Sequence, residues 1–291
     1  MNGAASAVIA VVFDFDDTLV PDSTTALLAA HEIDPNRFWK IETKERIRAG
    51  FDPTLAYLTL LLERVGPDKP LGRLTNAALR EFGKTLDRKL YPGLRGLIRD
   101  LRSLADKHEE VVVEFYIISG GLREVILGSE FVRKHFKAVY GCELSEGPSG
   151  VLQFIKRAVN FTEKTRYLFE INKGLDQART SKNPYLVNED ISPEKRRVPF
   201  KNIIYVGDGL TDIPCFSLVK KMGGTPIGVF DPGDEGSAKR ALLKFLKTER
   251  VISSHAARFG KKDELGALLR AAVGTLLARI QVDRGAAQPG I

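Results

Sequence analysis

Apolar positions along the chain fall into two patterns. Four short runs, 7–13, 111–119, 202–206 and, less strongly, 225–230, are apolar on consecutive residues rather than alternate ones. Continuous runs of this length suit strands buried on both faces, as in a parallel sheet covered by helices. Between them, apolar residues recur at helical spacing over 94–104, 122–131, 163–171 and 236–246. Strands alternating with helices predict an α/β fold: three layers, with a doubly wound, mostly parallel sheet in the middle. Segments 137–144 and 151–156 flank Gly147, Pro148, Ser149 and Gly150, which predicts a small hairpin.

Residues 22–88 follow the second pattern throughout and contain no strand-like run. Candidate helices at 23–31, 35–48, 53–65 and 74–86 are separated by Gly50, Gly66, Pro67 and Pro70. This predicts a helical cap subdomain, 22–88, inserted into a core formed by 1–21 and 89–291. Near the end, Leu265, Leu268, Leu269, Ala272, Val273, Leu276, Leu277 and Ile280 share one helical face. That stripe is expected to pack on the core or to serve a homodimer, and residues 284–291 are expected to fray.

Composition narrows the class. At about 150 residues per domain, 291 residues suit a core with a large insertion. With 43% apolar and 28% charged residues the chain is globular rather than disordered. Two cysteines, Cys142 and Cys215, argue against a disulfide scaffold or a zinc ribbon and suggest a reducing compartment. The four histidines are scattered, so any metal is expected to be hard and oxygen-bound. No apolar run reaches the ~18 residues of a membrane helix. The apolar stretch 4–13 lacks a basic preceding region and runs into Asp14, Asp16 and Asp17, unlike a signal peptide. A cytoplasmic protein with no membrane partner is the expectation. The net charge, 44 − 37 = +7, is spread over short clusters such as Lys195, Arg196 and Arg197. No aromatic residues interleave with them, which favours a solvated surface over a nucleic-acid interface.

The candidate chemistry lies at strand ends, where doubly wound sheets bind ligands. After the first run comes Asp14-Phe15-Asp16-Asp17-Thr18, with the Asp14 and Asp16 side chains on one side by strand alternation. Two close carboxylates repel unless a cation or a shared proton lies between them. A second acidic loop, Gly207-Asp208-Gly209-Leu210-Thr211-Asp212, follows the run at 202–206. Gly-Asp-Gly alone is a common turn; two acidic loops after two buried strands carry more weight. The third element, Ser119-Gly120-Gly121, offers a hydroxyl and glycine amides at a helix start, a ready anion site, though an N-capping serine has the same pattern. The fourth is Lys164, placed in the first turn of a helix with Thr162 as the expected N-cap. The macrodipole disfavours a cation there by about 0.3–1 kcal/mol unless an anion faces it. Lys173, beside Gly174, reads instead as a helix C-terminal lysine with a structural role.

Together these pieces resemble the haloacid dehalogenase (HAD) superfamily. Its DxDxT, strand-terminal Ser, helix-start Lys and GDGxxD motifs match Asp14 to Thr18, Ser119, Lys164 and Gly207 to Asp212, in that order. Each part is common; the ordered set is specific, and it covers residues 5–20 and about 89–246. Ser119-Gly120-Gly121 and the helical insertion look most like the phosphoserine-phosphatase branch. The resemblance implies a HAD-like Rossmannoid core and a Mg²⁺-dependent phosphomonoester hydrolase acting on a small phosphorylated metabolite. It implies Asp14 as nucleophile forming an aspartyl-phosphate, with Mg²⁺ held by Asp14, the Asp16 carbonyl and Asp208, and supported by Asp212. Ser119, Gly120 and Lys164 would hold the phosphate, Asp16 would act as acid and base, and Thr18 would orient Asp16. A phosphotransferase would use the same residues. A polyanion binder on a degenerate HAD fold is supported only by the net charge.

Two departures stand out. The position nine residues after the nucleophile, where phosphoserine phosphatases carry a glutamate for the substrate ammonium, is Ser23. This argues against phosphoserine, with Asp22 either a substitute or a helix cap. Residues 177–200 insert a polar, basic segment, either a surface excursion or a rim of the site.

Overall fold

In the computed structural model, residues 7–108 and 110–287 are described. The first strand, β1 (Ala7–Phe13), is almost wholly buried and leads into a helical excursion. This comprises α1 (Ser23–Ala30), α2 (Pro35–Arg37), a wide π-type turn (Phe38–Glu42), α3 (Thr43–Arg48), α4 (Pro53–Glu63), α5 (Asn76–Gly83) and a 3₁₀ turn (Lys84–Arg88). The chain then runs through α6 (Leu94–Ala105), β2 (Val111–Leu122), α7 (Arg123–Gly128) and α8 (Glu130–His135). Next come β3 (Ala138–Glu146), β4 (Leu152–Arg157), α9 (Phe161–Lys173), α10 (Gln177–Lys182), β5 (Ile203–Gly207) and α11 (Ile213–Lys221). The remainder is β6 (Thr225–Phe230), α12 (Glu235–Ala241), β7 (Ser253–Ala256) and α13 (Glu264–Ala287).

One seven-stranded sheet has the order β4-β3-β2-β1-β5-β6-β7, parallel except for β4. The α/β architecture expected from the sequence is therefore present, with helices around a mostly parallel sheet. β1 is central, paired with β2 and β5, so the segments leaving β1, β2 and β5 converge at one edge of the sheet. The four expected strands and the hairpin all occur. The short β7, Ser-Ser-His-Ala, escapes the pattern because its residues are only partly buried and mostly polar.

Several boundaries differ from the expectation. The helix expected at 122–131 is two helices, because β2 continues to Leu122 and the backbone turns extended at Ser129. The Ser129 hydroxyl caps α8 by accepting the Val132 N–H at 3.1 Å. Asn160, not Thr162, caps α9: its Oδ1 accepts the Glu163 N–H at 3.1 Å. Lys164 stays in the first turn all the same. Asp22 caps α1 through the Thr25 N–H at 2.9 Å.

The helical excursion touches the core differently along its length. α4 reaches β2 through Tyr57 and the link between β4 and α9 through Thr54. α5 lies directly on α7, where a Cβ on Gly83 would sit 2.0 Å from the Val125 carbonyl oxygen. A Cβ on Gly128 would sit 2.3 Å from the Arg80 carbonyl oxygen, so only glycine permits this approach at either position. Between α4 and α5 the chain turns at Gly66 and Gly72, whose backbones are joined by a 2.8 Å hydrogen bond.

α13 buries Leu265, Leu269, Val273, Leu276, Leu277 and Ile280, packing beside α6, β1 and β7. By length and composition its stretch Glu264–Gly285 could cross a membrane, which corrects the expectation that no segment is long and apolar enough. The helix continues to Ala287 rather than fraying from 284, and residues 1–6 and 288–291 of the expected ranges lie outside the described residues.

Candidate active site

Asp14 leaves β1 still in strand pairing, its N–H bonded to the Val206 carbonyl at 2.8 Å. Its Oδ1 accepts the Phe15 N–H at 2.7 Å and its Oδ2 accepts Lys164 Nζ at 2.8 Å. Lys164 is wholly buried and its other partner is Asp212 Oδ1, at 2.7 Å. Asp212 accepts two further hydrogen bonds, from the Tyr205 hydroxyl at 2.6 Å and the Gly209 N–H at 2.9 Å. Gly207 leaves room for that carboxylate, since a Cβ there would lie 2.6 Å from it. An oxygen from each of Asp14, Asp208 and Asp212 lies within 4.8 Å of the others.

Asp16 leans the other way, its Oδ1 accepting the Ser23 N–H at 2.8 Å. A Cβ on Gly121 would come within 2.4 Å of Asp16 Oδ2, so the second glycine of Ser119-Gly120-Gly121 is a space requirement. Ser119 Oγ accepts the Gly121 N–H at 3.0 Å. These residues lie in the extended end of β2, ahead of α7, so Ser119 does not cap the helix. Asp17 adopts a left-handed φ of 53° and accepts the Asp22 N–H at 3.1 Å. The Thr18 hydroxyl donates to Asp208 Oδ1 at 3.4 Å, not to Asp16 as the resemblance implied.

All three motif loops open onto one cavity of about 320 Å³. Its lining includes Asp14, Asp16, Asp208, Ser119 and Gly120 from the expected set, and Trp39 and Tyr57 from the helical excursion. Lys164 lies beneath Asp14, whereas Lys173 sits at the far end of α9. There its Nζ donates to the Val187 and Glu189 carbonyls, both at 2.6 Å, tying down the segment 177–200. Arg197 of the same segment forms a two-pronged ion pair with Glu114, so this segment is anchored away from the cavity.

Residues that the sequence pattern did not single out complete the frame. The Tyr57 hydroxyl donates to the Gly120 carbonyl at 2.6 Å, and the Cys142 thiol donates to the same oxygen at 3.2 Å. Burial pushes that thiol up to about 11, which keeps its proton in place as a donor. Tyr205 is a third, pinning Asp212 from β5.

The electrostatics follow from burial. Desolvation, opposed by Lys164 and reinforced by Asp212, raises Asp14 to about 6. Asp16 is pushed well above the usual carboxylate range by burial first and by Asp22 second. Asp208 is raised by burial, then by Asp14 and Asp212. Burial works against the Lys164 charge, yet Asp14 and Asp212 outweigh it and hold the ammonium above its ordinary value. Three crowded carboxylates with one internal lysine leave a net negative pocket of hard oxygen donors, which fits Mg²⁺ or a similar cation. Asp14 and Asp208 line the cavity while Asp212 is fully buried behind them, so Asp14 and Asp208 are the side chains best placed as direct ligands.

No family model matches the chain. It is 29% identical over 238 residues to an uncharacterized protein of Borreliella burgdorferi, covering 74% of this chain and 79% of that one. Among solved structures, a HAD-family hydrolase from Salmonella enterica serovar Typhi superposes with a TM-score of 0.53 at 16% identity, covering 87% of this chain and 68% of that one. A probable phosphoserine phosphatase from Vibrio cholerae gives 0.50 at 15% identity, covering 94% and 66%. The chain has the fold of the HAD superfamily.

Proposed function

We propose that the chain is a phosphomonoester hydrolase that works through an aspartyl-phosphate on Asp14. The observation that carries this reading is Lys164 clamped between Asp14 and Asp212 under a cavity whose opposite wall is Ser119-Gly120-Gly121. In that frame an Asp14 oxygen attacks phosphorus in line and the bond to the leaving oxygen breaks. Asp16, whose burial favours the protonated form, gives its proton to the leaving oxygen. It then takes a proton from the water that attacks the aspartyl-phosphate, and inorganic phosphate and free Asp14 result. The Ser119 hydroxyl, the Gly120 amide and Lys164 stabilise charge on the transferring oxygens. Mg²⁺, when held by Asp14, Asp208 and the Asp16 carbonyl, supplies the positive charge that lets an anionic phosphate approach an anionic carboxylate. A cavity of about 320 Å³ suits a small phosphorylated metabolite.

The test is hydrolysis of p-nitrophenyl phosphate with Mg²⁺ present. Asp14→Asn should lose at least about a thousandfold in turnover while circular dichroism stays unchanged. A variant that turns over at the parent rate refutes the mechanism.

A further inference from the structure

The phosphatase reading leaves the alcohol half of the substrate open, and the upper wall of the same cavity speaks to it. Trp39 and Tyr57 stand there with ring centroids 5.5 Å apart and planes inclined at 51°. Both are held. The Tyr57 hydroxyl is fixed on the Gly120 carbonyl, and Phe38 meets the indole edge-on at 5.0 Å. The indole Nε1–H donates to Thr25 Oγ1 at 2.8 Å, and that hydroxyl donates to Asp22 Oδ2 at 2.6 Å. One relay therefore locks an aromatic face and a carboxylate side by side at the cavity wall.

The charge of the lining has one sign. Asp14, Asp16, Asp17, Asp22 and Asp208 line the cavity, and among the described residues no Lys or Arg does. Asp14, Asp16 and Asp208 belong to the proposed reacting centre; Asp22 lies outside it, its oxygens met by Thr25 rather than by a cation. An anionic substituent on the leaving group would find no counter-charge in this wall. A neutral aryl group would use the rings and leave the carboxylate idle. An ammonium group uses both, since ring faces and a carboxylate each attract a cation. Ser23, which replaces the ammonium-reading glutamate of phosphoserine phosphatases, is buried and absent from the lining, so this arrangement is a different one.

We propose that the substrate is a phosphomonoester of a short amino alcohol, its alkylammonium group seated against Trp39, Tyr57 and the Asp22 carboxylate. The proposal rests on the phosphatase reading. Hydrolysis consumes one water and releases inorganic phosphate and the amino alcohol, whose oxygen takes the Asp16 proton.

Choline phosphate and its uncharged isostere, 3,3-dimethylbutyl phosphate, separate charge from shape. With Mg²⁺, kcat/KM should be at least tenfold higher for choline phosphate and higher again than for phosphoglycolate. Equal values for the isostere, or a preference for the anionic ester, overturn the proposal. Trp39→Leu and Asp22→Asn should each shrink the choline-to-isostere ratio at least fivefold, and an unaltered ratio in both removes the assigned seat. p-Nitrophenyl phosphate, which carries no ammonium group, reports on the phosphatase reading alone: no turnover of it by the wild type sinks that reading. Calorimetric binding of choline phosphate and of the isostere, measured with Mg²⁺ on Asp14→Asn, then still decides the ammonium preference without turnover. Tenfold tighter choline phosphate supports the seat, and equal affinity rejects it.

Discussion

Helix α9 carries a lysine near each end, and the two ends differ in everything but residue type. At the N-terminal end Lys164 is fully buried, lies against the positive pole of the helix and holds two carboxylates. At the C-terminal end Lys173 is partly exposed, lies where the helix dipole favours a cation, and holds two carbonyls of a surface segment. Gly174, with φ of 71°, closes that end as a left-handed cap. A cation placed against the dipole and out of water is costly, so its anions have to be close and fixed. A cation placed with the dipole needs no such arrangement, and its bonds serve the local chain path.

The comparison breaks most readily at Lys164. Lys164→Ala should lower kcat by about a hundred- to a thousandfold and destabilise the fold by about 3–5 kcal/mol through the uncompensated carboxylates. Lys164→Arg, which keeps the charge, separates the two effects: stability largely restored with the rate still low supports a positional role. A smaller effect comes from pH. Asp14 is raised from 3.8 to about 6, so the native state binds the proton more tightly between those values. Stability in EDTA should therefore fall as pH rises from 4 to 6. Asp16 and Asp208, raised in the same direction, deepen that fall, and Mg²⁺ should flatten it; a thermal-melt series that is level in EDTA contradicts the crowded-carboxylate picture. Next is Tyr57→Phe, which removes one hydrogen bond to the Gly120 carbonyl but keeps the ring. About tenfold in kcat/KM is expected, with the choline phosphate preference intact; an unchanged kcat/KM would place the anion loop under the control of β2 alone. The smallest effect belongs to Lys173→Ala, within about threefold in rate and about 1–2 kcal/mol in stability. A Lys173 variant slower than the Lys164 variant reverses the comparison.

The parts of the site that could be read from the sequence are those whose signal is local. Asp14 and Asp208 follow short apolar runs, and Lys164 follows a cap, so neighbouring residues identify each of them. Tyr57, Trp39, Tyr205 and Cys142 give no such signal. In the pattern they are apolar positions of helices and strands, and their hydroxyl, indole and thiol groups acquire partners only when distant segments meet. Thr18 shows the same limit: its loop was legible, but whether it reaches Asp16 or Asp208 depends on how β1 and β5 pair. The cap of α9 lies two residues before Thr162 because Asn160 and Thr162 both suit the role, and the backbone uses the one ahead of the first turn.

Residues 83 and 128 bear on how the cavity could open. The backbones of this helix pair touch through glycines and its Arg80 and Glu124 side chains are ion-paired across it, so α5 and α7 are expected to travel as one body. A swing that lifts Trp39 and Tyr57 off the carboxylates would then leave α5 behind and bend at Gly66 and Gly72, making the working lid shorter than the inserted segment that carries it.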